Sequence, residues 1–116
     1  MQPKSCIIID MMISEDNVFK ALSDASRRAL LDQLFQNGGL TLSELCMAHD
    51  MSRQAVTKHL AILEDANLVI VRWQGREKRH YLNPAPIHDI YTRWISKFDT
   101  NRLELLSALK ETLEES

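Results

Sequence analysis

Cysteine is scarce in this chain of 116 residues, and what is missing narrows the field early. Cys6 and Cys46 are the only two cysteines. They stand in neither CxC nor CxxC spacing, so a disulfide framework is excluded and a reducing, cytoplasmic compartment is the default. No apolar run is long enough to span a bilayer. The stretch Cys6–Ile13 is too short, contains Asp10, and follows a single lysine, which makes it a poor signal peptide as well. There is no Gly-rich phosphate loop, nucleophile elbow or HExxH pair. The histidines and carboxylates have no spacing that nominates an acid–base couple, so an enzyme is disfavoured and no cofactor is called for. Internal repeats and low-complexity tracts are also lacking.

What is present is an ordinary globular composition, with 45% hydrophobic and 26% charged residues, enough for one modest core. The net charge of −2 argues against a uniformly basic binder, but the charges are unevenly spread. From Met51 to His80 six cations (Arg53, Lys58, Arg72, Arg76, Lys78 and Arg79) stand against Glu64, Asp65 and Glu77. A basic segment inside an acidic chain is the footprint of a single nucleic-acid-facing surface.

Along the chain, residues 1–13 lack a helical period and read as an arm. Ser14 to Asn17 supplies N-capping side chains for a first helix carrying Val18, Phe19 and Leu22. Asp24 caps a second helix with Ala29, Leu30, Leu31, Leu34 and Phe35 inside, and Asn37-Gly38-Gly39 ends it, glycine suiting a left-handed C-cap. Thr41 to Ser43 caps a short third helix with Leu42, Leu45 and Cys46. Ser52 caps a fourth, whose inward face is Val56, Leu60 and Leu63, with Ala55 and Ala66 beside them. Leu68–Trp73 and Lys78–Leu82 read as two strands around a turn at Gln74–Glu77. A final periodic segment runs from Ile87 to Leu113 with a slip between Phe98 and Leu103, where a bend is expected. The fold class is mainly α with a small β-hairpin, in the order α-α-α-α-β-β-α, which is winged helix-turn-helix organisation. Residues 14–98 form the expected DNA-binding domain and 99–116 a helical extension.

A helix that enters a major groove about 12 Å wide must expose short or forked polar side chains. Ser52, Arg53, Gln54, Thr57 and Lys58 fit that need, with His59 one residue off the face and open to packing or backbone contact. Arg pairs with guanine and Gln with adenine. On the hairpin, Arg72, Arg76, Lys78 and Arg79 suit phosphates, each contact releasing a counterion.

Four segments carry a resemblance: Val18-Phe-Lys-Ala-Leu-Ser-Asp-Ala-Ser-Arg-Arg28, Leu42-Ser-Glu-Leu45, Met51-Ser-Arg-Gln-Ala-Val-Thr-Lys-His-Leu60 and Leu63-Glu-Asp-Ala-Asn-Leu-Val69. With Gly75, Arg76 and Tyr81–Asn83, the chain resembles the arsenic-repressor (ArsR-type) winged helix-turn-helix regulators over roughly residues 15–98. The resemblance implies a bacterial transcriptional repressor that binds a near-palindromic operator in double-stranded DNA as a homodimer. It also implies a dimer interface from the first and last helices, here Val18, Phe19, Leu22, Ile90, Trp94, Phe98, Leu103, Leu106 and Leu109. The family's metal-sensing pattern is Glu-Leu-Cys-x-Cys. This chain has Glu44-Leu45-Cys46-Met47-Ala48, so the second thiolate is lacking, and no metal site is expected. Two rivals stand beside this reading: a thiol switch pairing Cys6 with Cys46, and a winged-helix protein-interaction module without DNA binding.

Overall fold

A computed structural model describes residues 14–95, 97 and 100–115. The expected arm and Cys6 therefore lie outside the described residues, as does Phe98. The first helix, α1, covers residues 14–22. It turns into α2 (Ala25–Gln36), α3 (Leu42–Ala48) and α4 (Arg53–Asp65), and then into an antiparallel hairpin of β1 (Val69–Gln74) and β2 (Glu77–Leu82). The expected last helix is two, α5 (Ala85–Ile95) and α6 (Thr100–Glu115), divided where the apolar stripe slips.

Local chemistry fixes the helix ends. Asp24 accepts a hydrogen bond from the Arg27 backbone N–H, and Ser52 accepts one from that of Ala55. Thr41 and Glu44 form a reciprocal capping box. The end of α1 is held from outside: Arg27 donates to the carbonyls of Lys20 and Ala21, and Arg28 donates to that of Leu22. Guanidinium groups there satisfy orphan carbonyls and oppose the negative end of the helix dipole. At the end of α4, Leu68 N–H reaches Leu63 O and Asn67 N–H reaches Glu64 O, while Asn67 takes a φ of 59°. That is a Schellman motif with Asn in the left-handed position.

The expected C-cap of α2 differs in detail. The cap is Asn37 in extended conformation, and the positive φ falls on Gly39, two residues later. The glycines there serve another need, because a Cβ on Gly38 or Gly39 would lie 3.2 or 3.0 Å from the Tyr81 side chain. Residues 39–40 run beside β2: Gly39 N–H donates to His80 O, and His80 N–H donates to Leu40 O.

The core joins Val18 and Ala21 of α1 to Leu30, Leu31 and Leu34 of α2, Leu45 of α3, Val56, Leu60 and Leu63 of α4, and Val69 of β1. Each fully buried aliphatic side chain contributes roughly 1.5–3 kcal/mol. Two expectations fail here. Phe35, placed with the inward residues of α2, is 78% exposed. It follows Leu34 by one residue, which turns it 100° away from the core face. Val18, expected at a dimer interface, is 2% exposed and lies in the core of the chain itself.

Candidate nucleic-acid interface

Three inward side chains of α4 decide where its outer face looks. With Val56, Leu60 and Leu63 buried, the helix cannot rotate, and Arg53, Gln54, Thr57 and Lys58 are all exposed. Arg53 Nη1 donates to Ser43 Oγ of α3 at 3.3 Å, and Thr57 Oγ1 donates to Arg53 O at 2.8 Å. These bonds order the face without covering it. Ser52 is exposed at the N-terminal end, where it caps the helix.

His59 departs from this group. It is half-buried and turned toward α2, with Nδ1 3.4 Å from Arg27 Nη1 and 3.9 Å from Asp24 Oδ2. Its position three residues after Val56 brings it back to within about 60° of the inward face. Of the two roles open to it, packing is the one its surroundings support. The N-cap hydrogen bond from Arg27 holds the Asp24 carboxyl below its usual pKa against an opposing desolvation, and the charges of Arg27 and His59 add to the effect.

The hairpin turns through a two-residue loop, with Gln74 opposite Glu77. Gly75 has a φ of 64°, the first central position of a type II′ turn, which glycine fills without strain. The four expected wing cations fall into two pairs. Arg72 and Arg76 are exposed. Lys78 pairs with Glu64 of α4 at 3.5 Å, and Arg79 is drawn inward. Arg79 Nη1 donates to the Gly39 carbonyl at 2.8 Å and Nη2 to Glu77 Oε2 at 2.6 Å. Arg79 is thus a strut between wing and body. His80, which follows it, is 3% exposed with Nδ1 2.9 Å from Leu40 O.

Between α4, the start of α3 and the wing lies a cleft of about 530 Å³. Arg53, Thr57, Arg76 and Lys78 line it together with Trp73. Trp73 was not among the residues singled out from the sequence, where it counted only as a strand former. Its signal was its place beside the turn, beyond the last core-facing strand residue. Cys46 packs half-buried against the core, with Met47 exposed next to it.

A second exposed region is apolar. Ile87, Tyr91 and Trp94 recur at helical spacing on α5, and Leu106, Leu109 and Leu113 do so on α6; all are exposed. Phe19 is exposed as well, Leu22 and Ile90 pack partly against the core, and Leu103 lies within α6.

A short helix, a tight turn, a helix with a fixed polar outer face and a basic hairpin beside it define a winged helix-turn-helix protein. The comparisons agree. Residues 22–72 match the family model described as a helix-turn-helix domain. The uncharacterized HTH-type transcriptional regulator YuzN of Bacillus subtilis is 40% identical over 88 residues, which are 71% of this chain and 96% of that protein. The transcriptional repressor SdpR of the same species is 31% identical over 72% of this chain and 90% of its own length. An ArsR-like transcriptional regulator from a Rhodococcus species has a similar solved structure. Its TM-score is 0.69 at 29% identity, over 93% of this chain and 97% of that one. The chain belongs to the ArsR-type family of helix-turn-helix transcriptional regulators, and it is a DNA-binding regulator of transcription.

Proposed function

We propose that this protein is a dimeric, sequence-specific repressor that reads bases with α4 and holds phosphates with its wing. The observation that carries the reading is the locked orientation of α4, whose buried Val56, Leu60 and Leu63 leave Arg53, Gln54, Thr57 and Lys58 outward beside a basic hairpin. Arg53 and Gln54 suit guanine and adenine edges, each good bidentate contact discriminating by about 1–3 kcal/mol. Ser52, at the N-terminus of α4, suits a phosphate. Arg72 and Arg76 are the wing's phosphate contacts, Lys78 lies on the same surface while paired with Glu64, and Arg79 supports them from behind.

Repression is favoured by the names of relatives, which include a transcriptional repressor and an arsenical resistance operon repressor of Escherichia coli, 34% identical over 67 residues. Occupying a promoter would be the mechanism, in a bacterial cytoplasm. The apolar faces of α5 and α6, with Phe19, favour a homodimer, since a specific interface needs about 1,000 Å² or more of buried surface. Residues 14–98 would then be the DNA-binding unit and 99–116 the dimerising extension. With Cys46 followed by Met47 and Ala48, the family's paired-thiolate site has no second ligand at that place, so this regulator does not use it.

Selection of genomic fragments by the purified protein tests the reading. It should return a near-palindromic site with half-sites about 10–10.5 base pairs apart, or a multiple of that. If no sequence is enriched and duplex binding shows no salt dependence, the proposal fails and a protein-interaction module takes its place.

A further inference from the structure

Trp73 is 68% exposed near the end of β1. Strand alternation puts it on the same face of the hairpin as Val69 and Val71, opposite Lys78 in register. The core ends before it, however, and the indole instead forms a wall of the cleft between α4 and the wing. A large aromatic left mostly exposed near a strand end adds little to the isolated fold and invites aggregation. The cleft around it is cationic in effect. Its two acids are already engaged, Glu64 by Lys78 and Glu77 by Arg79, while Arg53 and Arg76 have no acidic partner among the described residues.

We infer that Trp73 is a DNA-positioning residue, its indole packing on the deoxyribose–phosphate backbone of the strand that passes between α4 and the wing. The inference rests on the DNA-reading surface proposed above and adds an apolar contact to it. Deoxyribose is the apolar part of that backbone, and the indole N–H is a donor suited to a phosphate oxygen. The flanking Arg53 and Arg76 would bring the strand into the cleft, and Trp73 would fix its depth. A contact made by apolar surface releases no counterion, so it differs from an arginine contact in salt dependence.

The test is a salt titration of duplex binding by the full chain, comparing wild type, Trp73→Ala, Trp73→Phe and Arg76→Ala. Covering roughly a third of an indole's surface corresponds to about a tenfold loss of affinity in Trp73→Ala. That loss should be equal at every salt concentration, with the log–log slope unchanged and Trp73→Phe intermediate. Wild-type tryptophan emission should change at saturating duplex, and the change should be absent in Trp73→Phe. Unchanged affinity in Trp73→Ala would overturn the inference while leaving the DNA-reading surface intact, as would a fall in slope like that of Arg76→Ala. A loss explained by dissociation of the dimer, measured by sedimentation on the same samples, would also overturn it. If wild type itself binds no duplex in a salt-dependent way, the underlying reading fails together with the inference, and the two failures are thereby distinguished.

Discussion

Arg79 and Arg76 sit three residues apart on the same hairpin, yet removing them should damage different properties. The Arg79 guanidinium donates to the buried Gly39 carbonyl and to Glu77, and it ties the wing to the segment that links α2 with α3. In Arg79→Ala that carbonyl loses its charged donor. A hydrogen bond to a charged group contributes about 1.5–3 kcal/mol. The Arg79 side chain is 30% exposed, so water can replace part of it, and a loss of about 1–2 kcal/mol is the working figure. For a chain of this size that lowers Tm by about 4–8 °C. Arg76 lies exposed in the turn, and Arg76→Ala should change stability by less than about 0.5 kcal/mol. On the proposed reading its effect falls on DNA binding, where each lost phosphate contact lowers the log–log salt slope by about 0.9. Thermal denaturation and salt-titrated fluorescence anisotropy, run on both variants, separate the two roles. Arg79→Lys should recover little stability, because an ammonium cannot span both acceptors as the guanidinium fork does. An Arg79→Ala variant that melts like wild type and flattens the salt slope as Arg76→Ala does would contradict the structural role of Arg79.

Two further predictions address stability and assembly. Asp24 is held below its ordinary pKa of 3.8, so its contribution is present above that value and is lost as pH falls through the lower, folded one. Asp24→Asn keeps a capping acceptor without the charge; its Tm should lie below wild type at neutral pH and converge on it in strong acid, and a constant difference at all pH values would contradict the assignment. Trp94→Glu combined with Leu109→Glu, both at exposed apolar positions, should convert a dimer to a monomer in sedimentation experiments while the far-UV circular dichroism stays helical. An unchanged sedimenting mass would remove α5 and α6 from the interface.

Where the chain's own neighbours in sequence decide a feature, the sequence was readable. Asp24, Thr41 and Ser52 cap as their positions suggest, because an N-cap bonds within its own first turn. The inward face of α4 follows from its period, and the hairpin ends lie within one residue of those expected. The division of the last segment showed as a slipped stripe. Long or amphipathic side chains were not readable, since their partners come from distant segments. Arg27 and Arg28 appeared only as part of a motif, but they close the end of α1. Arg79 looked like any other wing cation, and its acceptor lies 40 residues away. His59 turns on a small difference in helical angle, which the presence of Asp24 and Arg27 settles. Val18 and Trp94 are both apolar and both on terminal helices, and only packing separates the core residue from the exposed one.

On the proposed division of labour, α4 carries base recognition and the wing carries charge. The most direct measurement is the ratio of affinities for the selected site and an unrelated duplex, taken at one salt concentration for wild type and for Arg53→Ala with Gln54→Ala. Losing two base contacts at about 1–3 kcal/mol each should collapse that ratio by roughly 30-fold or more. Binding to the unrelated duplex should change far less, by no more than the loss of one cation allows. A ratio that survives the double substitution, with affinity falling equally on both duplexes, would contradict the claim.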